Sequence, residues 1–373
     1  MGIFKLAKKN NWKVCIYGLG RIGQNFGKVL PGYLGINPIF YCDRNQAALD
    51  SYSVDYEKKI TFESLIGLDE DVLVILFVGH KLIKEVLCSF KSYRHIHAVS
   101  YMEMLDNDQI LCRYFGIKKA FTYSNKDIRA IKQNEIKRNS YKIAVFTCIT
   151  GGYDVINEPL IIEEMCDYYL ITDDETIAKT EMDYKHEKGS YKQLNVNDIV
   201  SGNLSSKDKN RYCKMHGYSI FDEYDYSIYL DGNLQIIGPL SDLIRSLGRY
   251  GLGFHSHPYA QDPYMEALSL SIRQKIDKKD AIETLRIFVD NGFPRHYGSV
   301  EGGLIVCDNR NQMARKILDS WFHEYMNGKA KRDQLYLPYV LYKMGIDVED
   351  VHPFHCDLRE NGRVRMAQTV HQK

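Results

Sequence analysis

The first 100 residues constrain the fold most, because strand and helix signals alternate along them. "KVCIYGLG", from Lys13, predicts a strand that runs into a glycine-rich turn, and a helix is expected over residues 21–30. Further strands are expected at "NPIFYCD", "DVLVILFV" and "HIHAVSY", with a helix over residues 81–90 before the last of them. Such alternation is typical of parallel strands joined by crossover helices. We therefore predict an α/β fold that opens with a Rossmann-like parallel sheet.

The length and charge of the chain set its broad class. At 373 residues it exceeds the usual size of one hydrophobic core, so two domains are expected. We predict a Rossmann-like, nucleotide-binding-type domain over residues 1–115, a lysine-rich helical linker over 116–140 and a second α/β domain over 141–373. A formal net charge of +1 argues against a large nucleic-acid-binding surface, so no nucleic-acid partner is expected.

The start of the chain and the cysteines indicate a cytoplasmic protein. "MGIFKLAKKNNWKV" lacks the apolar core of a signal peptide, and no run approaches the roughly 18 apolar residues that a membrane span needs. The nine cysteines include no Cys-x-x-Cys pair, and several lie in apolar strands, which is typical of reduced thiols. We expect no transmembrane segment; peripheral membrane association stays open.

A glycine fingerprint follows the first predicted strand. Gly18, Gly20 and Gly23 fit G-x-G-x-x-G, and Asp43 stands 20 residues after Gly23 at the end of the next strand. The glycines would let a pyrophosphate approach the helix N-terminus, while Asp43 could accept from a ribose hydroxyl. With "DRN" at its end, the segment resembles the small Rossmann-like modules that precede many bacterial surface-polysaccharide enzymes. Under this hypothesis the turn binds NAD or another nucleotide; the alternative is a turn that only supports the second domain.

The stretch "YDYSIYLDGNLQII", residues 224–237, predicts an apolar strand that ends on Asp231, Gly232 and Asn233. A carboxylate and an amide at the end of a buried strand offer oxygen ligands to Mg²⁺ or Mn²⁺, which commonly complete their shell with substrate phosphates. The glycine between them would let a phosphate come close. The alternative interpretation is an Asx turn, since Asp-Gly-Asn is also a common turn sequence.

Polar residues elsewhere in the second domain strengthen the metal-site interpretation. Arg211 and Lys214 are three residues apart on a predicted helix, a spacing that suits a grip on phosphate oxygens. Further polar candidates follow downstream: His255, His257, Glu301, Arg332, Asp333 and Gln334. Each has a structural interpretation of its own, such as a loop histidine, a surface acid or a helix cap. Their combination in one chain indicates a site.

Residues 142–344 resemble the glycosyltransferase-like domain of domain-of-unknown-function family 616, which includes plant hexosyl- or uronosyltransferase-like proteins and many bacterial members. The matching segments are, in order, "FTCITGGYDVINEP", "CDYYLITDD", "NRYCKMH", "YDYSIYLDGN", "HP" with the later "YMEA", "EGGLIVCDNRN" and "RDQLYLPYVL". The resemblance implies a GT-A fold, in which a Rossmann-like sheet binds a nucleotide-sugar and a D-x-D-like motif holds a divalent metal. The arrangement is similar to that of retaining transferases of the family-eight type.

The resemblance also implies roles for individual residues. The donor-binding set would be Gly151, Gly152, Asp154, Asp173, Asp174, Arg211, Lys214, His257, Arg332 and Gln334. Asp231 and Asn233 would bind the metal, completed by a late histidine, either His355 or His371. Position 233 is an amide where a full D-x-D has a carboxylate, which should weaken metal affinity. Glu301 and Asp333 are the catalytic candidates, and either could be the base that an inverting enzyme needs.

The function predicted from these residues is glycosyl transfer. The enzyme would move a hexose-type sugar from a nucleotide-sugar, UDP-linked, to a glycan or lipid-linked acceptor in surface-polysaccharide or capsule biosynthesis, assisted by Mn²⁺ or Mg²⁺. The alternative is an NAD(P)-dependent oxidoreductase or sugar-nucleotide-modifying enzyme centred on residues 18–23. A third hypothesis makes the first domain a docking module for the transferase.

Overall fold

The computed structural model describes residues 2–122, 141–173 and 191–367. The chain forms two compact units: the N-terminal unit comprises Met1–Phe121 with Tyr264–Gly292, and the second unit comprises Thr122–Pro263 with Phe293–Lys373. This division differs from the predicted contiguous domains, because Tyr264–Gly292 groups with the N-terminal unit. Most of the predicted linker helix over 116–140 lies outside the described residues.

The strands and helices are numbered in chain order. The strands are β1 Lys13–Tyr17, β2 Phe40–Cys42, β3 Val72–Leu76, β4 Ile96–Ser100, β5 Ile143–Ile149, β6 Cys166–Thr172, β7 Lys192–Asn195, β8 Tyr226–Leu230, β9 Leu234–Ile236, β10 Leu252–Ser256, β11 Val300–Asp308 and β12 Val364–Met366. The α-helices are α1 Ile3–Lys9, α2 Leu30–Leu34, α3 Gln46–Ser51, α4 Phe62–Ile66, α5 His80–Phe90, α6 Tyr101–Leu105, α7 Asp108–Phe115, α8 Val196–Ile199, α9 Ser206–Met215, α10 Gly217–Ile220, α11 Pro263–Ile272, α12 Lys278–Asp290, α13 Gln312–Asn327 and α14 Leu337–Lys343. Short 3₁₀ helices span Tyr56–Lys58, Ser241–Ser246, Asp333–Leu335 and Val348–Val351.

The N-terminal unit is built on a four-stranded, all-parallel sheet with strand order β2-β1-β3-β4. Every residue of the central strand β3 is buried, as expected of a parallel strand that is covered on both faces. The predicted parallel sheet is therefore confirmed. The helix predicted over 21–30 is wrong in detail, because the chain forms a π-helical turn at Gly23–Gly27 and resumes an α-helix only at Leu30–Leu34.

Helices α11 and α12 complete the N-terminal unit although they come late in the chain. Helix α12 begins after Asp277, whose side chain accepts from the backbone N–H groups of Lys279 and Asp280. Its buried side chains repeat at helical spacing: Ala281, Thr284, Leu285 and Phe288. The Tyr114 hydroxyl on α7 lies 3.1 Å from Ser271 Oγ on α11. These contacts hold the helix pair to the unit's own first segment.

The second unit contains a six-stranded mixed sheet with strand order β10-β11-β8-β5-β6-β7. Strands β8, β5, β6 and β7 are parallel, while β11 runs antiparallel to β8 and β10 antiparallel to β11. All of β5 is buried, and strands β9 and β12 form a separate antiparallel pair. This α/β sheet has the arrangement predicted for a GT-A-type domain.

The sheet of the second unit brings the sequence motifs to one edge. Asp231 follows β8, the Gly151-Gly152 turn follows β5, and Asp173 follows β6. Carboxyl ends of neighbouring parallel strands lie at the same edge of a sheet. The antiparallel β11 places its first residues there too, since Leu304 pairs with Leu230 and the Asp231 N–H donates to the Gly303 carbonyl at 2.8 Å.

Within the described ranges, no helix has both the length and the apolar character that crossing a bilayer requires.

Candidate active site

A buried lysine is the centre of the polar cluster at this edge. Lys214 lies near the end of α9, and only 3% of its side chain is exposed. Its Nζ is 2.7 Å from Asp333 Oδ2 and 3.7 Å from Asp231 Oδ1. The ammonium also lies over the rings of Tyr229 and Trp321, 5.4 and 5.8 Å from their centroids. Two carboxylates and two aromatic faces therefore keep the charge in a fixed place.

Asp333 is the counter-ion of two cations. Arg211, one helical turn before Lys214, places its Nε 3.2 Å from Asp333 Oδ1. Burial by itself would raise the pKa of the Asp333 carboxyl, but Arg211 and Lys214 outweigh it and hold that pKa well below its usual range. A carboxylate that is held ionised with both oxygens in ion pairs is a poor proton acceptor. This environment fits a positioning role better than the base role expected from the sequence.

Asp231 is the carboxylate of the cluster that faces solvent. Its side chain is 39% exposed, and its Oδ1 accepts from the Tyr229 hydroxyl at 2.9 Å. Among the described residues no hydrogen bond reaches Oδ2. The backbone carbonyl of Asn233 accepts from the Ala367 N–H at 2.9 Å, and the half-buried amide side chain lies two residues from Asp231. One carboxylate oxygen therefore remains available beside an amide.

Two glycines in the left-handed region form the turn after β5. Gly151 and Gly152 have φ values of 65° and 62°, which a residue with a Cβ adopts at a cost. The Gly151 N–H donates to Asp173 Oδ1 at 2.9 Å, and Ser206 Oγ lies 3.4 Å from Asp173 Oδ2. Asp173 thus ties the glycine turn to the start of α9. We find a local structural role for it here, and the ribose or base contact stays a prediction.

Gly232 permits a close approach between two loops of the site. A Cβ at position 232 would lie 3.2 Å from Asp154 Cβ and 3.0 Å from Ile149 Cγ1. The Asn157 amide also donates to the Gly232 carbonyl at 2.7 Å. Asp154 therefore lies beside the Asp231-Gly232-Asn233 segment, and its contact with the nucleotide stays a prediction. Asp174, the alternative to Asp173 for the base or ribose contact, lies outside the described residues.

Glu301, at the start of β11, forms a bidentate ion pair with Arg359. Arg359 Nη1 lies 2.9 Å from Glu301 Oε2, and Nη2 lies 3.0 Å from Oε1. Burial raises the pKa of Glu301, although Arg359 acts in the opposite direction. The next residue before Arg359, Leu358, packs closely over Gly303, where a Cβ would lie 2.8 Å from Leu358 Cδ2. Glu301 is therefore a partly desolvated, oriented carboxylate.

Arg332 belongs to the basic side of the cluster. Burial lowers the pKa of Lys207, and the nearby charges of Arg211 and Arg332 lower it further. Positive side chains therefore crowd together next to Asp333. Gln334 follows Asp333 in the same 3₁₀ helix, but no contact places its side chain in the cluster.

Three predicted histidines have other surroundings. His257 Nδ1 accepts from the Ala260 N–H at 2.9 Å and so caps the turn after β10. His255 is fully buried, which lowers its pKa to about 4. His355 lies with Glu349 and His352, with their ligand atoms all within 4.8 Å of one another. His371, the other late candidate, lies outside the described residues.

In the N-terminal unit, the Asp43 side chain hydrogen-bonds to the backbone of the glycine-rich turn. Asp43 accepts from the Leu19 N–H at 2.6 Å and from the Asn45 N–H at 2.8 Å, so both carboxylate oxygens hold the turn. At Gly23 a Cβ would lie 2.1 Å from the Gly18 carbonyl, whereas Gly20 has open space around it. These contacts support the structural interpretation of the turn. Nucleotide binding there stays a prediction.

Four side chains of the site were missed by the sequence reasoning: Lys207, Tyr229, Trp321 and Arg359. Tyr229 could have been found, because residues two apart on a strand share a face and Asp231 lies two residues on. The positions of Trp321 and Arg359 depend on packing between distant segments.

The fold and site define an α/β protein with a cluster of basic side chains and an Asp-x-Asn segment at the end of a central strand. A family model described as "TOD1/MUCI70, glycosyltransferase-like domain" matches residues 87–366, and the chain belongs to that family. The glycosyltransferase-like character predicted from the ordered motifs is thereby confirmed, under a different family name. The match begins within the N-terminal unit.

Solved structures with low similarity include other glycosyltransferases. The WbbM bifunctional glycosyltransferase shares 11% identity over 56% of this chain and 39% of its own, with a TM-score of 0.35. Mouse xyloside xylosyltransferase 1 shares 9% over 63% of this chain and 99% of its own, with a TM-score of 0.36. Galactosyltransferase LgtC, in complex with donor and acceptor sugar analogs, shares 13% over 52% and 69%, with a TM-score of 0.31.

These TM-scores are too low to carry an argument about function. This chain spans less than half of the WbbM structure. No curated protein sequence matches the chain.

Proposed function

We propose that the second unit transfers a hexose-type sugar from a nucleotide-diphosphate donor, UDP-linked, to a surface glycan or lipid-linked acceptor in the cytoplasm. The observation that supports it most is the basic cluster of Arg211, Lys214, Lys207 and Arg332, whose four cations outnumber the three carboxylates that act on them, Asp231, Asp333 and Asp208. An excess of fixed cations at the carboxyl edge of a parallel sheet suits a diphosphate.

The proposed chemistry is stabilisation of a departing nucleoside diphosphate. Negative charge collects on the leaving group as the anomeric bond breaks, so cations that are already in place lower the barrier. Lys214 is such a cation, because Asp333 at 2.7 Å and Asp231 at 3.7 Å hold its ammonium within a buried site. Arg211 is held by the same Asp333. Preorganised groups of this kind need little rearrangement during the reaction.

The residues at the end of β8 fit a divalent cation that is shared with the diphosphate. Asp231 Oδ2 and the Asn233 amide oxygen are the groups that would hold it, and hard cations often take one or two such ligands with phosphates and water completing the shell. When bound, Mn²⁺ or Mg²⁺ would neutralise charge on the diphosphate. With one carboxylate in the set, we propose a weaker site than a full D-x-D motif provides.

Glu301 is the proposed contact for the reacting sugar or the acceptor hydroxyl. Its raised pKa and its orientation by Arg359 suit a group that accepts a proton or a hydrogen bond. If the enzyme inverts configuration, Glu301 is our candidate base, since Asp333 is committed to its two cations. A retaining enzyme of this kind needs no such base.

A donor assay tests the proposal directly. The purified full-length protein would be incubated with a panel of nucleotide-sugars, with Mn²⁺, Mg²⁺ or chelator, and release of the nucleoside diphosphate would be measured. We expect one UDP-sugar to be hydrolysed and Asp231→Asn to lower the rate at least about 100-fold. Asp242→Asn, at an exposed position, is the matched control. Failure of every donor to bind or react, or an unchanged rate in Asp231→Asn, would reject the proposal.

A further inference from the structure

The segment after α14 carries a cluster of potential metal ligands that the proposed transfer chemistry does not use. Glu349, His352 and His355 each offer one ligand atom, and these atoms all lie within 4.8 Å of one another. The three residues follow each other at intervals of three. Glu349 belongs to the 3₁₀ helix Val348–Val351, and His352 is the residue that follows the helix. The cluster contains two imidazoles and one carboxylate.

The distance between two of the three ligand atoms is already close to that found in a metal site. Glu349 Oε2 lies 3.1 Å from His352 Nδ1. Ligand atoms at 2.0–2.2 Å from a tetrahedral Zn²⁺ lie about 3.4 Å apart, so this pair needs almost no adjustment. The Glu349 side chain is 62% exposed and His355 is also exposed, so both are free to rotate toward a shared ion.

His352 is held in the orientation that a ligand needs. Its other ring nitrogen, Nε2, lies 2.7 Å from Ser256 Oγ on β10, and only 12% of its side chain is exposed. A hydrogen bond from the second ring nitrogen to a protein oxygen is the usual support of a metal-binding histidine. With Nε2 engaged in this way, Nδ1 faces Glu349 and His355.

The backbone conformation of His355 also supports a ligand role. Its φ is 47°, in the left-handed region that few residues other than glycine adopt. Local strain of this kind persists where the surroundings require it, and it places the His355 ring centroid 5.2 Å from that of His352.

We propose that Glu349, His352 and His355 bind one Zn²⁺ ion at a site separate from Asp231. Two imidazoles and a carboxylate are ligands that Zn²⁺ accepts, and the fourth position would hold water. The ion would fasten the segment 349–355 to strand β10 through His352 and Ser256. Four residues later the same segment delivers Arg359 to Glu301, so the ion would steady one wall of the candidate active site.

Metal counting on the full-length protein tests this inference. The protein would be stripped with chelator, titrated with Zn²⁺ against a chromophoric competitor, desalted and analysed for bound metal. We expect one Zn²⁺ per chain for the natural sequence and loss of that ion in Glu349→Gln and His355→Asn. Asparagine tolerates the left-handed backbone at position 355, so this variant removes the ligand with the least effect on folding.

Matched controls separate the site from general binding of zinc by histidines. Glu360→Gln and His323→Asn alter exposed residues of the same types outside the cluster and should retain the ion. Ser256→Ala should weaken binding about 10- to 100-fold, as expected for the support of a ligand. Co²⁺ in place of Zn²⁺ should give visible absorption bands that disappear in His355→Asn.

The outcomes also separate this inference from the proposed transfer reaction. Retention of zinc by Asp231→Asn, with loss of donor hydrolysis, supports two independent sites. Absence of stoichiometric zinc from the natural protein overturns the inference, and so does wild-type zinc content in both Glu349→Gln and His355→Asn. Loss of zinc from Asp231→Asn with retention in Glu349→Gln would assign the ion to Asp231 and equally overturn it.

Discussion

Replacing Asp333 with asparagine tests how the cation pair of the site is stabilised. The change keeps the size of the side chain and removes the one charge that Arg211 and Lys214 share. At 2.7 Å and an effective dielectric constant near 20, the Lys214–Asp333 attraction is about 6 kcal/mol, part of which offsets the cost of burying the carboxylate. Removal of one partner from a buried ion pair costs about 3–5 kcal/mol. We expect Asp333→Asn to destabilise the second unit by about that amount.

The protein provides its own reporter for this measurement. It contains two tryptophans: Trp12 in the N-terminal unit, and Trp321, which is fully buried. The Trp321 indole N–H donates to the Asp333 carbonyl at 2.8 Å. In a Trp12→Phe background, urea unfolding followed by tryptophan emission therefore reports on the second unit. The unfolding free energies of the protein with and without Asp333→Asn are compared at pH 7.

A double variant and a pH series make the test specific. Adding Lys214→Met should recover at least about 1 kcal/mol of the loss, because one uncompensated cation is removed with the carboxylate. The folded state lowers the pKa of Asp333, so its contribution is complete above the unfolded value near 4 and declines as the pH falls below it. A loss under about 1 kcal/mol at pH 7, or no recovery in the double variant, would refute the ion-pair reasoning.

Three further predictions follow from contacts described above. Gly23→Ala should destabilise the N-terminal unit by about 3 kcal/mol, because its Cβ would lie 2.1 Å from the Gly18 carbonyl, whereas Gly20→Ala should change little; Trp12 emission during thermal unfolding, in a Trp321→Phe background, measures both. Arg359→Gln should raise the pKa of Glu301 further and shift the acid limb of the donor-hydrolysis profile to higher pH, and an unshifted limb would exclude Glu301 from catalysis. Because folding lowers the pKa of His255 to about 4, the free energy of unfolding should decrease as the pH falls from 6.5 to 4. The His255→Gln variant should lack this decrease when unfolding is measured over the same pH range.

Much of the fold was predictable because the long apolar runs of the sequence form buried strands at the positions that their pattern predicts. The buried runs at β3, β5 and β8 are examples. The short strands β9 and β12 were not predicted, since their burial depends on neighbours that are distant in the chain. The place of α11 and α12 in the N-terminal unit was also missed. Their helical periodicity shows which face is apolar, but it does not show what that face packs against.

The candidate site was predictable where local geometry fixes it. Arg211 and Lys214 lie on one face of α9 because of their spacing, and Asp231 lies at the strand end because the apolar run stops there. The role of Asp333 as a shared counter-ion depends on a 3₁₀ helix that lies more than 100 residues after α9 in the chain. Arg359 reaches Glu301 in the same non-local way. Such pairs follow from tertiary packing, which spacing does not reveal.

The return of Tyr264–Gly292 to the N-terminal unit bears on how this protein could have evolved. The chain passes between the two units three times, after Phe121, Pro263 and Gly292. A domain joined by one linker can be gained, lost or exchanged by a single recombination event, but here such an event would separate α11 and α12 from the surface that buries Leu285 and Phe288. We therefore expect exchange of the whole N-terminal unit to require more than one recombination event.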